Sequence, residues 1–545
     1  MKIADTLLIN GRFLTMEDDC PTAEAVAIRD GKILFVGAEK DAKNYADENT
    51  KIIDLKGHVA APGFIESHTH AVACANVLSR LNCRGKNTES LDNLLACIAE
   101  AAKTTPKGEW IYATGFDEGK FVEGPIDVTK EHIDSVAPDH PVYLRRVCSH
   151  LCVLNSMAMK LASLTDNDNV PYDDCKYFRN EKGELTGKFA SSVADAQIKI
   201  PPVPIEKIEE CFYDVEDLFF KNGITTSADM SIDRRYFKLV QKLDRQKNLK
   251  LRLGVYFPAD MKMFKNGNGR INSASNLALE SGFGSENLWF SGIKIVLDGS
   301  CGGKTAAFSV PYMNDGENFG KLYYTQEEVN EAVLIAAQSG FQTAIHAIGD
   351  RAIEMAVASV EYANENGADT KNLRFRIEHL EAPTPDQIER MKKLNIAVSL
   401  SGAFIYSLGD SHINVLEKER LTHAFPAKTL IENGITTACN SDCPVCDVNP
   451  MLGIYSMVTR TTAKGQSFGG NTEAIDRITA LKMYTKNAAF LMYCDEFLGT
   501  LKPGKFADII VFEEDFLNVP DNELKDLHIH MTISNGEIVY KNQED

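Results

Sequence analysis

The 545-residue sequence predicts an α/β protein built around a (β/α)8 TIM barrel. Through the middle of the chain, short apolar segments typical of strands alternate with amphipathic segments typical of helices, the pattern of βαβ units. Several apolar segments are almost continuously hydrophobic, as strands covered on both faces are. The two ends of the chain share a third, hairpin-rich pattern. Eight units in series favour a closed barrel over an open doubly wound sheet, which is the alternative.

The two termini together predict a small β-sandwich domain, formed from residues 1–57 and 494–545. Asn-Gly lies between strand-like runs in "NGRF" near the start and in "NGEI" near the end. This dipeptide is a strong hairpin signal. The barrel domain, residues 58–493, is then inserted between the two halves of the small domain.

Eight segments are candidates for the barrel strands. In chain order they are "HVAAPGFIESH", "GITTSADM", "LKLRLGVYF", "WFSGIKIVLDG", "FQTAIHAIG", "RFRIEHL", "NIAVSLSG" and "GITTACNSD". Amphipathic stretches such as "TQEEVNEAVLIAAQSG" and "TPDQIERMKKLN" separate most of them. The interval between the first and second segments is far longer than one crossover helix requires. Residues 71–200 therefore predict a large insertion after strand 1, which we expect to form a lid and much of the substrate pocket.

Composition excludes several classes of function. The net charge of −19 and the pI near 5.2 argue against nucleic-acid binding. The N-terminus lacks the pattern of a signal peptide, and no apolar run approaches the ~20 residues of a membrane helix. Thirteen cysteines are scattered without the spacing of a disulfide scaffold. We therefore expect a cytoplasmic protein with reduced thiols that does not enter a membrane.

Polar residues stand at the C-terminal ends of five of the eight candidate strands. In "HTH", His68 and His70 are alternate residues, so a strand aims both imidazoles to one side. A lone strand-end histidine is usually a hydrogen-bonded structural residue, and a lone aspartate usually caps a helix. A charged lysine in an apolar strand is costly. The chain has only 12 histidines, and the combination predicts a metal centre whose members are His68, His70, Lys294, His346, His379 and Asp442.

The ordered motifs resemble the amidohydrolase superfamily of metal-dependent hydrolases. These are "PGFIESHTH", the strand-4 lysine, single histidines on strands 5 and 6, and the "SD" after strand 8. Finer motifs resemble the branch that includes N-substituted formamide deformylases, namely "IKIVLDGSCGGKTAAF", "HAIGDRAI", "SDCPV" and "LGTLKPGKFADIIVF". The likeness covers essentially the whole chain. Glu66 departs from the usual aspartate at its position.

The resemblance implies a metal cofactor. In this family His68 and His70 would hold the more buried ion, His346 and His379 the more exposed one, and Asp442 would contact the first. Lys294, carbamylated by CO2, would bridge the two, and an unmodified lysine would leave a single ion. Zinc suits the histidine-rich set, although iron, manganese or cobalt are alternatives.

The implied metal ions and Asp442 together predict hydrolysis of a C–N bond in an amide, an N-substituted formamide or a related small molecule. A metal-activated hydroxide would attack, while Asp442 accepts its proton and passes it to the leaving nitrogen. A deaminase and a cyclic amidase of the same superfamily stay open as alternatives. Lys294 argues against the first, and the long insertion fits the second poorly. A non-catalytic scaffold is a third alternative, against which stands the complete ligand set.

Three further residues are candidates for substrate binding: His150 in "CSHLCVLNS", Asp117 in "WIYATGFD", and Asp298 after strand 4. The alternatives are a histidine bonded to backbone and an aspartate that caps the next helix. Cys443 and Cys446 have a redox or zinc spacing but lack a nearby second pair, which argues against both roles. Cys443 lies next to Asp442 and is a candidate for the pocket wall. A homodimer is the default expectation for an enzyme of this kind.

Overall fold

The structure is a computed structural model that describes residues 3–85, 88–147, 151–168, 176–190, 198–259, 261 and 278–542. The chain divides into two compact units. One consists of Met1–Val72 together with Asp214–Asp545, and the other of Ala73–Tyr213.

The first unit contains an eight-stranded parallel sheet in which each strand pairs with the next one along the chain. Hydrogen bonds from the Asp442 amide to the His68 carbonyl (3.1 Å) and from the His70 amide to the Cys443 carbonyl (2.8 Å) tie the end of the first strand to the segment after the last. The sheet is thus a nearly closed barrel, as predicted. Its strands, called barrel strands 1 to 8, are Phe64–Thr69, Ile224–Asp229, Arg252–Pro258, Leu288–Val296, Gln342–Ala347, Arg376–His379, Ala397–Leu400 and Thr437–Cys439.

Helices follow most barrel strands, and side-chain caps fix where several begin. Thr325 and Thr384 each form a reciprocal capping box, with Glu328 and Gln387 respectively. The helices within this unit are Glu39–Ala42, Arg234–Arg245, Gln326–Gln338, Asp350–Glu365, Pro385–Leu394, Gly402–Ile413, Lys418–His423, Ala427–Glu432, Pro450–Thr459, Arg477–Met483 and Lys486–Leu491. Short 3-10 helices span Lys43–Tyr45, Lys371–Leu373 and Asp521–Asp526. Helices Ala71–Leu78 and Ile205–Lys221 cross the boundaries between the units.

Two further sheets in the same unit are built from residues near the termini. The four-stranded sheet contains Thr6–Ile9, Ala25–Arg29, Lys32–Gly37 and Lys51–Asp54. The six-stranded sheet contains Arg12–Leu14, Thr22–Ala23, Val59–Pro62, Ile509–Phe512, Ile529–Ser534 and Glu537–Lys541. One hydrophobic cluster contains Leu8 and Val26 from the first sheet and Ile509 and Ile533 from the second.

The two Asn-Gly signals have different outcomes. Asn535 and Gly536, with φ of 53° and 77°, form the tight turn of a hairpin between Ile529–Ser534 and Glu537–Lys541. Asn10-Gly11 instead links a strand of the four-stranded sheet to a strand of the six-stranded one, so the hairpin predicted there is wrong. The strands on either side of Asn10-Gly11 run parallel to the successive strands Lys51–Asp54 and Val59–Pro62, so the chain does not reverse there. The dipeptide favours a tight turn, but the rest of the sheet decides whether the chain reverses.

The second unit has its own six-stranded sheet and core. Its strands are Leu81–Asn82, Ile111–Phe116, Val142–Arg146, Leu151–Leu154, Lys176–Arg179 and Leu185–Ala190. Its helices are Leu91–Thr104, Lys130–Asp134 and Ser156–Leu161, with a 3-10 turn at Glu118–Lys120. Across both units, the described helices include none that is long and apolar enough to span a bilayer.

Candidate metal centre

The six predicted ligands lie at the C-terminal ends of barrel strands 1, 4, 5, 6 and 8, or just after them. The Nε2 atom of His68 lies 3.4 Å from Lys294 Nζ and 3.5 Å from Asp442 Oδ1. The Nε2 atom of His70 lies 3.3 Å from the same Asp442 oxygen. The ring centroid of His379 is 4.8 Å from that of His68 and 4.5 Å from that of His346. The fold therefore brings all six side chains together, because the carboxyl ends of parallel strands meet at one rim.

His68 is held by an acid that the sequence analysis did not single out. Its Nδ1 lies 2.5 Å from Glu378 Oε2, and the same carboxylate accepts two hydrogen bonds from Arg376, at 2.5 and 2.9 Å. All three side chains are buried. Burial, together with the neighbouring Lys294 charge, lowers the pKa of His68 well below its ordinary value. The ring is therefore neutral, with its hydrogen on Nδ1 and its Nε2 lone pair directed at the centre.

His70 is oriented by the backbone. Its Nδ1 donates to the Met230 carbonyl at 2.8 Å, which leaves Nε2 facing Asp442. Burial alone lowers the pKa of His70, but the Asp442 carboxylate outweighs it and raises that pKa overall. A cation that binds here therefore competes with a proton for Nε2.

His379 ends a directed chain of hydrogen bonds. The Ser401 hydroxyl donates to Asn440 Oδ1 (2.9 Å), so its oxygen accepts from His379 Nδ1 (2.7 Å). Asn440 Nδ2 in turn donates to Ser399 Oγ at 2.7 Å. Burial lowers the pKa of His379 well below its ordinary value, so this ring is neutral with an unprotonated Nε2.

His346 is held through Nε2, whereas the other three histidines are held through Nδ1. Its Nε2 donates to the Gly299 carbonyl at 3.0 Å, so Nδ1 is the nitrogen that keeps a lone pair in the neutral ring. Each of the four histidines thus has one nitrogen held by a neighbour and one available to a ligand, the arrangement typical of metal-binding histidines.

Lys294 lies in an unusual environment for a lysine. Only 4% of its surface is exposed, and burial lowers the pKa of its ammonium group to about 8. A neutral amine is the form of lysine that reacts with CO2, and a lysine carbamate offers two oxygens to a cation.

The surroundings of Asp442 are those of a cation ligand. Its Oδ1 is buried and has no hydrogen-bond partner among the described residues, although the Nε2 atoms of His68 and His70 face it. The ligand atoms of His68, His379 and Asp442 all lie within 4.8 Å of one another. A buried carboxylate oxygen opposite two imidazole nitrogens is costly unless a proton or a metal ion lies between them. The donor set therefore fits a divalent metal ion.

The backbone is distorted at two of these residues. His379 and Asp442 have φ of 69° and 54°, in the left-handed region that non-glycine residues seldom occupy. Such strain clusters at functional sites. Glu66 supports the second distortion, since its Oε2 accepts from the Ser441 amide and hydroxyl at 3.0 and 3.1 Å. Burial raises the pKa of Glu66 to about 8.

The predicted substrate-binding residues have varied surroundings. Asp298 is buried and accepts backbone hydrogen bonds from Ala307, Ile348 and Gly349, which lie outside the helices, and the next helix, Gln326–Gln338, is capped by Thr325 instead. Asp117 lies in the second unit and accepts from Arg146 at 2.7 Å. His150 lies outside the described residues. A role in substrate binding stays a prediction for all three.

Cys443 and Cys446 are both buried in the turn after barrel strand 8, with a cis peptide bond between Cys443 and Pro444. The sequence analysis missed Glu378, Arg376, Ser401 and Asn440. One signal could have found the first two: Arg376 and Glu378 are alternate charged residues in a strand otherwise suited to full burial, so they face the same side.

Comparisons with known proteins agree on one family. The model of the amidohydrolase family matches residues 51–540. The chain is 30% identical to the putative amidohydrolase YtcJ of Bacillus subtilis, covering 97% of this chain and 98% of that protein. It is 23% identical to the N-substituted formamide deformylase of Arthrobacter pascens, covering 99% of each. The crystal structure of an uncharacterized metal-dependent hydrolase from Pyrococcus horikoshii superposes with a TM-score of 0.79 at 25% identity, covering 95% of this chain and 99% of that one.

Proposed function

The chain belongs to the amidohydrolase family, as its motifs indicated, and from this premise we propose that it hydrolyses the C–N bond of a small amide-type substrate. The single observation that supports this most strongly is the buried Asp442 Oδ1, which faces His68 and His70 and has no hydrogen-bond partner within the described part of the chain. That oxygen is able to bind a cation and to accept a proton during the reaction. N-substituted formamides are the first class to test, because the relative from Arthrobacter pascens named for that activity is similar over the whole chain.

The metal ligands are proposed as the resemblance implied. His68, His70 and Asp442 would hold one divalent ion, zinc in the first instance, and His346 and His379 a second. Lys294, as a carbamate, would bridge the two ions. When bound, the metal supplies Lewis acidity, which lowers the pKa of a water molecule and polarises a carbonyl.

The chain's own residues then supply orientation and proton transfer. Asp442 takes a proton from the attacking water on Oδ1 and returns it to the leaving nitrogen. Glu378 and the Met230 carbonyl keep the hydrogens of His68 and His70 on Nδ1, so that the lone pair of each Nε2 is directed towards the proposed metal ion. Glu66 holds the backbone at Ser441 and thereby fixes the position of the next residue, Asp442.

The remaining predictions from sequence are retained as proposals. The two terminal sheets would form a β-sandwich domain from residues 1–57 and 494–545, and residues 71–200 would be an insertion in the barrel domain 58–493. The protein would act in the cytoplasm on a small molecule, as a homodimer. Gel filtration with light scattering tests the last of these.

Asp442→Asn tests the proposal directly. The asparagine side chain does not take up a proton near neutral pH. We therefore expect kcat to fall by about 100- to 10,000-fold, the usual contribution of a general acid–base residue. The matched control is Asp447→Asn, the same exchange at an exposed aspartate five residues on. Activity is measured on formamides, acyclic amides, cyclic amides and heterocyclic amines, each with the same metal-loaded preparation. Near-normal turnover by Asp442→Asn would contradict the role of Asp442. If the wild type acted only on the heterocyclic amines, the protein would be a deaminase and not an amide hydrolase.

A further inference from the structure

A second cluster of metal-ligating side chains lies outside the centre described above. It consists of Cys301, Glu381 and His412, whose ligand atoms all lie within 4.8 Å of one another. Each of the three residues is no more than 2% exposed. The cluster shares no residue with the six proposed ligands, and no role was assigned to it from the sequence.

The histidine of this cluster is oriented as a ligand. The Nδ1 of His412 lies 2.8 Å from the carbonyl of Leu408, one turn earlier in helix Gly402–Ile413. A carbonyl only accepts, so the hydrogen is on Nδ1 and the lone pair of the neutral ring is on Nε2. That Nε2 lies 3.1 Å from Glu381 Oε2. The rings of Phe425 and Phe468, with centroids 6.2 and 6.3 Å from that of His412, pack around it and keep the surroundings apolar.

The charges of this cluster can balance in two ways. With a divalent ion bound, Cys301 would be a thiolate, and the ion would cancel its charge and that of Glu381. Thiolate and imidazole are the donors that zinc prefers, and a carboxylate oxygen is an accepted third ligand. Without an ion, the same three groups need a shared proton on His412 to satisfy Glu381. The cluster therefore has two states, one with a proton and one with a metal ion.

The three residues come from three segments that also support the main centre. Cys301 follows Asp298, whose Oδ1 lies 3.4 Å from His346 Nε2. Glu381 follows His379 by two residues. Helix Gly402–Ile413, which carries His412, begins directly after Ser401, the partner of His379 Nδ1. An ion bound by the cluster would join the segments after barrel strands 4, 6 and 7.

We propose that Cys301, Glu381 and His412 form a second, structural metal site that binds one transition-metal ion, Zn2+ in the first instance, and clamps these three segments together. The site is separate from the proposed catalytic centre and does not depend on its assignment. The three side chains supply three of the four ligands that tetrahedral zinc takes, so the fourth would come from solvent.

Cobalt substitution distinguishes the two sites. The proposed catalytic ligands are all nitrogen or oxygen donors, so only the second site gives a thiolate-to-Co2+ charge-transfer band in the near ultraviolet. The full-length chain is stripped with a chelator, titrated with CoCl2 and followed by absorption. We expect the band in the wild type and in the His68→Ala, His70→Ala double variant, which lacks the main centre. We expect no band in Cys301→Ser, and an unchanged band in Cys494→Ser, which alters another buried cysteine in neither cluster.

Two measurements on zinc complete the test. Cys301→Ser and His412→Gln should each contain about one metal ion per chain less than the wild type, by elemental mass spectrometry. X-ray absorption of the zinc-loaded double variant should show sulfur at about 2.3 Å from zinc, a result that requires no change to the cluster itself. A wild type without the cobalt band, or a band that survives in Cys301→Ser, would overturn the proposal and leave a proton-linked His412–Glu381 pair in its place.

Discussion

Glu378→Gln tests whether the buried acid behind His68 supports both the barrel and the metal centre. The Glu378 carboxylate accepts two hydrogen bonds from Arg376 and lies 2.5 Å from His68 Nδ1, with all three groups excluded from solvent. Glutamine removes the charge, so the buried guanidinium loses its counterion. Removing one partner of a buried ion pair costs about 3–5 kcal/mol. The loss of the outer partner of a metal-binding histidine costs about 10- to 100-fold in metal affinity.

The matched control is Glu361→Gln. Glu361 accepts two hydrogen bonds from Arg390, at 2.9 and 2.6 Å, which is the same pairing geometry. The side chains of that pair are 21% and 34% exposed, so solvent screens the charges and the expected cost is about 0–1 kcal/mol. Arg390 also donates to Glu354 and Asp386, so it keeps carboxylate partners when Glu361 is replaced. The comparison therefore sets the loss of the Arg376 counterion in the buried pair against the loss of one of three carboxylates around a partly exposed arginine.

Thermal unfolding, followed by circular dichroism in a chelator, measures the stability of the metal-free proteins, because a bound metal would mask the loss. Competition against a metal indicator then measures affinity. We expect Glu378→Gln to melt well below Glu361→Gln, and an Arg376→Gln, Glu378→Gln double variant to recover part of the loss because it leaves no charge unpaired. Equal melting of the two single variants, with metal affinity within a few-fold of wild type, would refute the reasoning.

Three more substitutions test separate parts of the structure. Lys294→Met should lower metal content by about one ion per chain if a lysine carbamate bridges two ions, and unchanged content by elemental mass spectrometry would contradict the bridge. Asp298→Asn replaces an oxygen that accepts backbone hydrogen bonds with a donor, so it should lower the melting midpoint by the equivalent of about 1–3 kcal/mol; a normal midpoint with a raised KM would instead indicate a substrate contact. Burial raises the pKa of Glu216 to about 7. Between about pH 4.5 and 7 the unfolded chain therefore releases a proton that the folded chain retains. The free energy of unfolding falls as the pH rises through this range. Glu216→Gln removes this loss, so the melting midpoint of the variant should rise relative to that of the wild type from pH 5 to pH 8. A difference between the two midpoints that does not change with pH would show that Glu216 titrates normally.

The sequence alone determined the barrel and the residues that meet at its rim. Strand-like apolar runs and amphipathic helices are local patterns, and a parallel strand–helix repeat has few ways to close. Once the strands are parallel, every side chain at a carboxyl end lies near the others, so His68, Lys294 and Asp442 could be placed together without knowing any distance. The motifs around them also identified the amidohydrolase family.

Tertiary structure alone decided what surrounds each of these residues. Glu378, Ser401 and Asn440 look like ordinary strand or turn residues in the sequence, and only packing shows that they fix the tautomers of His68 and His379. The hairpin predicted at Asn10-Gly11 is wrong for the same reason, because a local signal does not choose the partner strand.

The cluster of Cys301, Glu381 and His412 is the clearest case. Its members belong to three segments that no sequence periodicity connects, and each alone is an ordinary buried residue or helix side chain. Patterns in sequence report the burial and direction of one element at a time. Contacts between segments after different strands depend on how loops and helices pack, and that information exists only in the folded chain.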